Sequence, residues 1–305
     1  MNAINTAVNL AGIAMKNPVM PASGAFGYGP EYGAVFDLNL LGAMVVKGIS
    51  LAPVAGNSTP RMVETPAGLL NAIGLQNPGF DAFVKDYLPF LRQYQVPLIV
   101  NIWGHDLDEY TEIARKFRDV PGVHGLELNI SCPNIKAGGI GFGVRPDMAR
   151  QVIGGVRHVS RLPLIVKLPP HLFDIASFAR LAEECGADAL AITNSLPGMA
   201  VDIETRRPVL ANITGGLTGP AIHAVALKLV WEAAKATNLP IIGMGGIVSA
   251  REALAFIMAG ATAVAVGTAN FSDPETIPKV IQGIAEYLQR HAIPDIAALR
   301  GALQA

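Results

Sequence analysis

Cysteine is almost missing from this chain: Cys132 and Cys185 are the only two in 305 residues. They form no CxxC pair and no metal-binding spacing. An iron–sulfur cluster takes about four cysteine ligands, so the chain cannot hold one alone. Two thiols also exclude a disulfide framework, and the compartment read from them is the reducing cytoplasm. Charge is scarce as well. Asp, Glu, Lys and Arg make up 15% of the chain and sum to −1. That balance, mixed along the sequence, excludes a basic footprint for nucleic acid or an anionic membrane. The first residues lack the basic start and short apolar core of a signal peptide. No GxGxxG fingerprint follows a strand, which excludes that kind of dinucleotide site. One stretch, Ala253 to Phe271, carries no charge and is about long enough to span a bilayer. Gly260 and Ala261 interrupt it and Val264–Val266 is rich in β-formers, so it reads as a buried helix, a turn and a buried strand.

Half of the residues are apolar, and they come in short runs that alternate with helical patterns. The strand candidates are Val19–Ala22, Ala43–Lys47, Leu98–Ile102, Gly125–Ile130, Leu164–Lys167, Ala189–Thr193, Ile241–Met244 and Ala263–Val266. Their runs are continuous, the mark of parallel strands buried on both faces. Between them lie amphipathic segments. Asp174–Cys185 presents Phe178, Leu181 and Ala182 on one face. Ser249–Ala259 opens with a capping box, Ser249 with Glu252, and Gly186 and Gly260 stand where helices should stop. Eight β-then-α units predict a single (β/α)8 TIM barrel over residues 1–305, a fold that takes roughly 250 residues plus insertions. Two connections, Leu51 to Gly79 and Leu196 to Gly216, are too long to be simple. Both leave the C-terminal ends of strands, where barrel active sites are built, and both read as long ordered loops.

Polar residues gather at those strand ends: Lys47, Asn101, Asn129, Ser131, Cys132, Lys167, Asn194 and Ser195. Gly245-Gly246 and Gly267-Thr268 follow the last two strands, the usual phosphate position of this fold. Lys47 and Lys167 are open between a structural ion pair, a Schiff-base lysine and a cation facing a bound anion or a reduced flavin. Asn71, Asn77, Asn101, Asn129 and Asn194 suit a flat, amide-rich ligand, although any single one also suits loop capping. Cys132 is either a base at mildly alkaline pH or a small buried hydrophobe. The glycine-rich stretch Gly138–Gly143 after it reads as a mobile lid. Cys185, at a helix end, reads as structural.

Several motifs together resemble the dihydroorotate dehydrogenases: NPVMPASGAFGYG (17–29), VKGIS (46–50), NAIGLQNPG (71–79), NISCPN (129–134), VKLPP (166–170), ANITGGLTGPAI (211–222), GMGGI (243–247) and AVGT (265–268). The likeness covers nearly the whole chain, and NISCPN joined to NAIGLQNPG is its most specific part. Cys132 in place of serine resembles class 1, and NISCPNIKAGG with LANITGGLTGPA resembles the NAD-linked heteromeric branch. That resemblance implies FMN as cofactor. Ser23, Lys47, Gly48, Asn101, Asn129, Lys167 and Thr193 would line its ring and ribityl chain. Gly219, Gly245, Gly246, Gly267 and Thr268 would hold its lower part and phosphate. Asn71, Ala72, Ile73, Gly74, Leu75, Lys47, Asn129, Asn194 and Ser195 would bind the substrate, with Cys132 as base. Thr193 departs from the aliphatic residue expected there.

The implied reaction oxidises (S)-dihydroorotate to orotate in pyrimidine biosynthesis. The implied assembly is a homodimer core carrying a separate FAD and [2Fe–2S] subunit, a heterotetramer that passes electrons to NAD⁺. Rival readings are a fumarate-using homodimer, a dihydropyrimidine dehydrogenase-like reductase, a phosphate-sugar aldolase or isomerase on the same barrel, and a non-catalytic FMN relay.

Overall fold

The computed structural model describes residues 4–131, 145–170 and 174–304. Eight parallel strands make its central sheet: β1 (Val19–Pro21), β2 (Met44–Ile49), β3 (Leu98–Ile102), β4 (Gly125–Asn129), β5 (Leu164–Leu168), β6 (Ala189–Ile192), β7 (Ile241–Met244) and β8 (Ala263–Val266). Their order, β1-β8-β7-β6-β5-β4-β3-β2, runs round a nearly closed barrel. The two end strands meet where the Gly42 N–H donates to the Val19 carbonyl at 2.9 Å. All eight lie where the apolar runs predict them, with ends moved by two residues or fewer.

Helices return the chain outside the barrel, among them Leu107–Arg118, Pro146–Val159, Ile175–Glu184, His223–Ala236, Ala250–Met258 and Thr276–Arg290. Their starts follow local chemistry. Asp106 and Asp174 accept from backbone N–H groups three residues on, and Ser249 with Glu252 forms the expected capping box. Each helix buries an apolar stripe against the outward face of the strands. The uncharged stretch 253–271 divides between the helix Ala250–Met258, β8 and a short helix, and no helix among the described residues is long and apolar enough to cross a membrane.

The lumen is graded. Strand side chains alternate faces, so Leu126 and Leu128 of β4 face the helices while Glu127 shares the inner face with Asn129. The inner face is apolar at the N-terminal end, with Val45, Ile99, Ile165, Ala191 and Ile242 in one cluster. One pleat further it turns polar: Lys47 follows Val45, Asn101 follows Ile99, Lys167 follows Ile165. A hairpin, Val8–Leu10 with Ile13–Met15, closes the apolar end and packs Leu10, Ile13 and Met15 into that cluster. Burying each such side chain contributes roughly 1.5–3 kcal/mol. The barrel lumen is therefore apolar at its N-terminal end and polar towards its mouth.

The two long connections are not independent loops. Segments Leu196–Met199, Thr214–Thr218, Gly68–Asn71 and Met62–Thr65 pair, in that order, into one antiparallel four-stranded sheet. It joins the insertion after β2 to the insertion after β6 beside the barrel mouth. Leu70, Ala72 and Leu210 form a small core of their own behind it.

Candidate active site

The cavity at the C-terminal mouth gathers the strand ends, the inserted sheet and the last two barrel loops. Of the residues expected to bind cofactor or substrate, Ser23, Lys47, Gly48, Asn71, Ile73, Gly74, Leu75, Asn101, Asn129, Lys167, Thr193, Asn194, Ser195, Gly219, Gly245, Gly246, Gly267 and Thr268 all line it. Ala72 does not. It alternates with Asn71 and Ile73, so its side chain turns into the small core with Leu70 and Leu210. Cys132 and the Gly138–Gly143 stretch lie outside the described residues.

The floor is a buried polar set. Lys167 Nζ donates to Ser23 Oγ at 3.1 Å, and Asn101 Nδ2 reaches the same hydroxyl at 3.3 Å. Beneath them stands Glu127, 1% exposed. Its Oε1 accepts from Asn101 Nδ2 at 2.6 Å and lies 3.6 Å from the Lys167 ammonium. The lysine contact is thus an ion pair too long for a hydrogen bond, with Asn101 making the direct bond. Removing one partner of such a buried pair costs on the order of 3–5 kcal/mol, because the other charge is left uncompensated. The resemblance gives Glu127 no role, yet its position was readable: it stands two residues before Asn129 and so shares that residue's face of β4.

Two amides of the cavity lining, Asn129 and Asn194, are held through Ser131. Its hydroxyl donates to Asn129 Oδ1 at 3.1 Å and accepts from Asn194 Nδ2 at 2.9 Å. Asn194 Oδ1 accepts the Ser195 backbone N–H at 2.8 Å, while Tyr110 anchors the Asn129 carbonyl at 2.7 Å. Asn71 donates to the Gly216 carbonyl at 3.2 Å, tying the first insertion to the second. Only glycine fits at 216: a Cβ there would stand 2.0 Å from Ser195 Oγ. Segment 71–75 is braced from behind by Asn57, whose N–H bonds the Ile73 carbonyl at 2.9 Å and whose Nδ2 bonds the Ala72 carbonyl at 3.0 Å. Asn57 was not a site candidate in the sequence.

Asn77 takes the capping alternative. Its Oδ1 accepts from Ser50 and Gly79 N–H, and its Nδ2 donates to Ser50 Oγ and the Leu75 carbonyl. Its hydrogen bonds go to the loop rather than to the cavity. Thr193 is absorbed just as quietly, since its hydroxyl bonds the Leu168 carbonyl at 3.3 Å. Cys185 caps the helix Ile175–Glu184, and burial pushes its thiol up, away from thiolate character.

At the opposite end of the cavity the glycine loops converge. Gly246 has φ +69°, and a Cβ on it would lie 2.7 Å from His223 Cβ and 2.9 Å from the Gly219 carbonyl oxygen. The turn after β7 can pack this closely on the start of helix His223–Ala236 only with glycine there.

A family model described as dihydroorotate dehydrogenase matches residues 5–288. The chain belongs to the dihydroorotate dehydrogenase family. Among its relatives, the dihydroorotate dehydrogenase B (NAD(+)) catalytic subunit of Geotalea daltonii is 54% identical over 297 residues, covering 97% of each chain. The subunit of the same description from Alkaliphilus metalliredigens is 51% identical over 99% of this chain and 100% of its own. Among solved structures, the dihydroorotate dehydrogenase of Eimeria tenella in complex with ferulenol superimposes with a TM-score of 0.81 at 25% identity, over 98% of this chain and 88% of that one. These likenesses place the chain with the NAD-linked branch of the family, as the NISCPNIKAGG and LANITGGLTGPA segments suggest. The family is one of flavin-dependent oxidoreductases.

Proposed function

We propose that this chain oxidises (S)-dihydroorotate to orotate, holds FMN in the barrel-mouth cavity, and sends the electrons to NAD⁺ through a partner subunit. The observation that carries the reading is the convergence of a cationic floor, a set of hydrogen-bonded amides and a glycine cradle in one cavity.

FMN fits the residues present. Asn101 lines the cavity and keeps Oδ1 buried with no partner among the described residues. Lys167 supplies a cation at the floor, and Ala22, Met244 and Ala265 give the wall apolar surface for a flat ring. Ser23, Lys47, Gly48, Asn101, Asn129, Lys167 and Thr193 would hold the ring and ribityl chain. Gly219, Gly245, Gly246, Gly267 and Thr268 would offer backbone to the phosphate. FMN, when bound, supplies the two-electron acceptor for the substrate's hydrogen.

The protein's own groups do the rest. Asn71, Asn129, Asn194 and Ser195 hold the pyrimidine amides, whose alternating donors and acceptors match side-chain amides and hydroxyls. Lys47 lies near enough to the same mouth to meet the substrate carboxylate. Cys132, the residue after Ser131 in the chain, takes the C5 proton; a positioned base contributes typically 10²–10⁴-fold. Lys167 holds positive charge where negative charge develops. The sheet built from the two insertions limits water at the mouth.

The partner we propose carries FAD and a [2Fe–2S] centre, because the chain has neither the cysteines for a cluster nor a dinucleotide fingerprint. We place the assembly in the cytoplasm, built on a homodimer of this chain. Met199, Val201, Ile203 and Ile213 support the homodimer: they stand 53–80% exposed on the second insertion, apolar surface suited to burial against a second copy.

Anaerobic mixing of the FMN-loaded chain with dihydroorotate tests the reaction. Flavin bleaching with one orotate formed per flavin is expected, and slow reoxidation by NAD⁺ until the partner is added. Bleaching by dihydrouracil but not dihydroorotate refutes the substrate. Steady NAD⁺ reduction by the chain alone refutes the partner.

A further inference from the structure

Below the proposed flavin site lies one acidic side chain that the mechanism does not use. Glu127 is the only carboxylate among the described residues to be fully buried, at 1% exposure. It touches two side chains that line the cavity floor: Asn101, whose Nδ2 donates to it at 2.6 Å, and Lys167, whose ammonium stands 3.6 Å away. Ser23 joins both of these at 3.3 and 3.1 Å. The set forms one network of four residues, three on neighbouring strands β3, β4 and β5 and Ser23 just after β1.

A buried ion pair is weak support for stability, since apolar residues of the same volume serve a barrel interior as well. The geometry gives this pair a second effect. With Nδ2 on the carboxylate, the Asn101 amide has one allowed orientation, because reversing it would set Oδ1 against Oε1. The carboxylate also draws on the Lys167 ammonium from the side away from the cavity. Field from a unit charge is strong in such a low-dielectric interior, so the cavity senses the lysine and the glutamate together.

We propose that Glu127 is a positioning residue for flavin reduction: it orients Asn101 and Lys167 and offsets part of the lysine charge, thereby setting how strongly the site favours reduced over oxidised FMN. The inference rests on the FMN reading above. Glu127→Gln keeps the size and an acceptor for Asn101 but removes the negative charge. Lys167 then stands unopposed, and the negatively charged reduced flavin gains relative to the neutral oxidised ring. The reduced form should be favoured by at least about tenfold more, which for a two-electron couple is a rise of roughly 30 mV in midpoint potential. Glu127→Asp keeps the charge while shortening the side chain, and should stay within about threefold of wild type on the same scale.

The experiment is anaerobic dye equilibration of the FMN-loaded wild type and both variants, with thermal melting alongside. A raised potential in Glu127→Gln and a near-native one in Glu127→Asp are expected. An unchanged or lowered potential in Glu127→Gln, or equal shifts in the two variants, overturns the proposal, because shape rather than charge would then be at work. Should Glu127→Gln fail to fold, the double variant with Lys167→Gln replaces it. That double variant must show a higher potential than Lys167→Gln alone, and equal potentials overturn the proposal. A wild-type chain that takes up no FMN sinks the cofactor reading and this inference with it, whereas bound FMN with an unmoved potential sinks Glu127 alone.

Discussion

One methyl group added at Gly246 tests the proposed phosphate end of the cavity. The backbone there has φ +69°, where an L side chain costs roughly 1–2 kcal/mol. The new Cβ of Gly246→Ala would meet His223 Cβ at 2.7 Å, the Gly219 carbonyl oxygen at 2.9 Å and Pro220 Cα at 3.1 Å. These are backbone or backbone-adjacent atoms, so no rotamer change relieves them and the 219–220 turn must shift. Overpacking of that kind costs typically 1–3 kcal/mol, giving a total of about 2–5 kcal/mol. At roughly 2 °C per kcal/mol for a chain of this size, the melting temperature should fall by about 4–10 °C. If about a third of the total is felt at the phosphate, FMN affinity falls by around tenfold, since 1.4 kcal/mol is a factor of ten. Fluorescence titration of the flavin-free chain measures this, with riboflavin as control. FMN should lose about tenfold and riboflavin, which lacks the phosphate, much less. Native FMN affinity, or an equal loss for riboflavin, would refute the reasoning.

Three other substitutions have expected outcomes. Ser131→Ala removes the hydroxyl between Asn129 and Asn194, leaving Asn194 Nδ2 unpaired at a cost of about 1–3 kcal/mol; orotate affinity should drop around tenfold with flavin content unchanged, by titration. Cys132→Ala should bind FMN and orotate normally yet slow flavin reduction by at least ~10²-fold in stopped flow, and Cys132→Ser should keep some activity shifted to higher pH. Burial pushes the Glu252 carboxyl up, but its bonds to the Ser249 hydroxyl and backbone outweigh this and hold it below the usual carboxylate range. A depressed folded value means the stabilisation is complete above the ordinary carboxylate pKa of about 4.3 and fades as pH falls through the folded value. Glu252→Ala should therefore cost about 0.5–1 kcal/mol near neutrality, with the gap in melting temperature closing in acid; a gap that widens in acid contradicts the sign.

The barrel was legible because a strand buried on both faces needs a continuous apolar run, and all eight runs stand out between caps such as Ser249 and stops such as Gly260. The lining of the mouth cavity was legible where polar residues end those runs. Four things were not. The inserted sheet escaped because its strands, such as Thr214–Thr218 with two glycines, have little β-pattern and pair with segments far away in sequence. Ala72 was carried along with its neighbours, although alternation turns it away from the cavity. Glu127 sat inside an apolar run and passed as part of a strand, when a charge on the face of Asn129 could have flagged it. Asn57 braces the 71–75 segment through backbone contacts that no local pattern announces.

A crystal structure of the chain with FMN and orotate decides whether both molecules bind at the barrel mouth. The flavin phosphate is expected against the backbone of Gly219, Gly245, Gly246 and Gly267, with Lys167 and Asn101 at the ring. Orotate is expected within hydrogen-bond distance of the Asn71, Asn129 and Asn194 side chains, with Cys132 Sγ facing C5. FMN or orotate bound away from the barrel mouth, or orotate out of reach of those three amides, would contradict the proposed function.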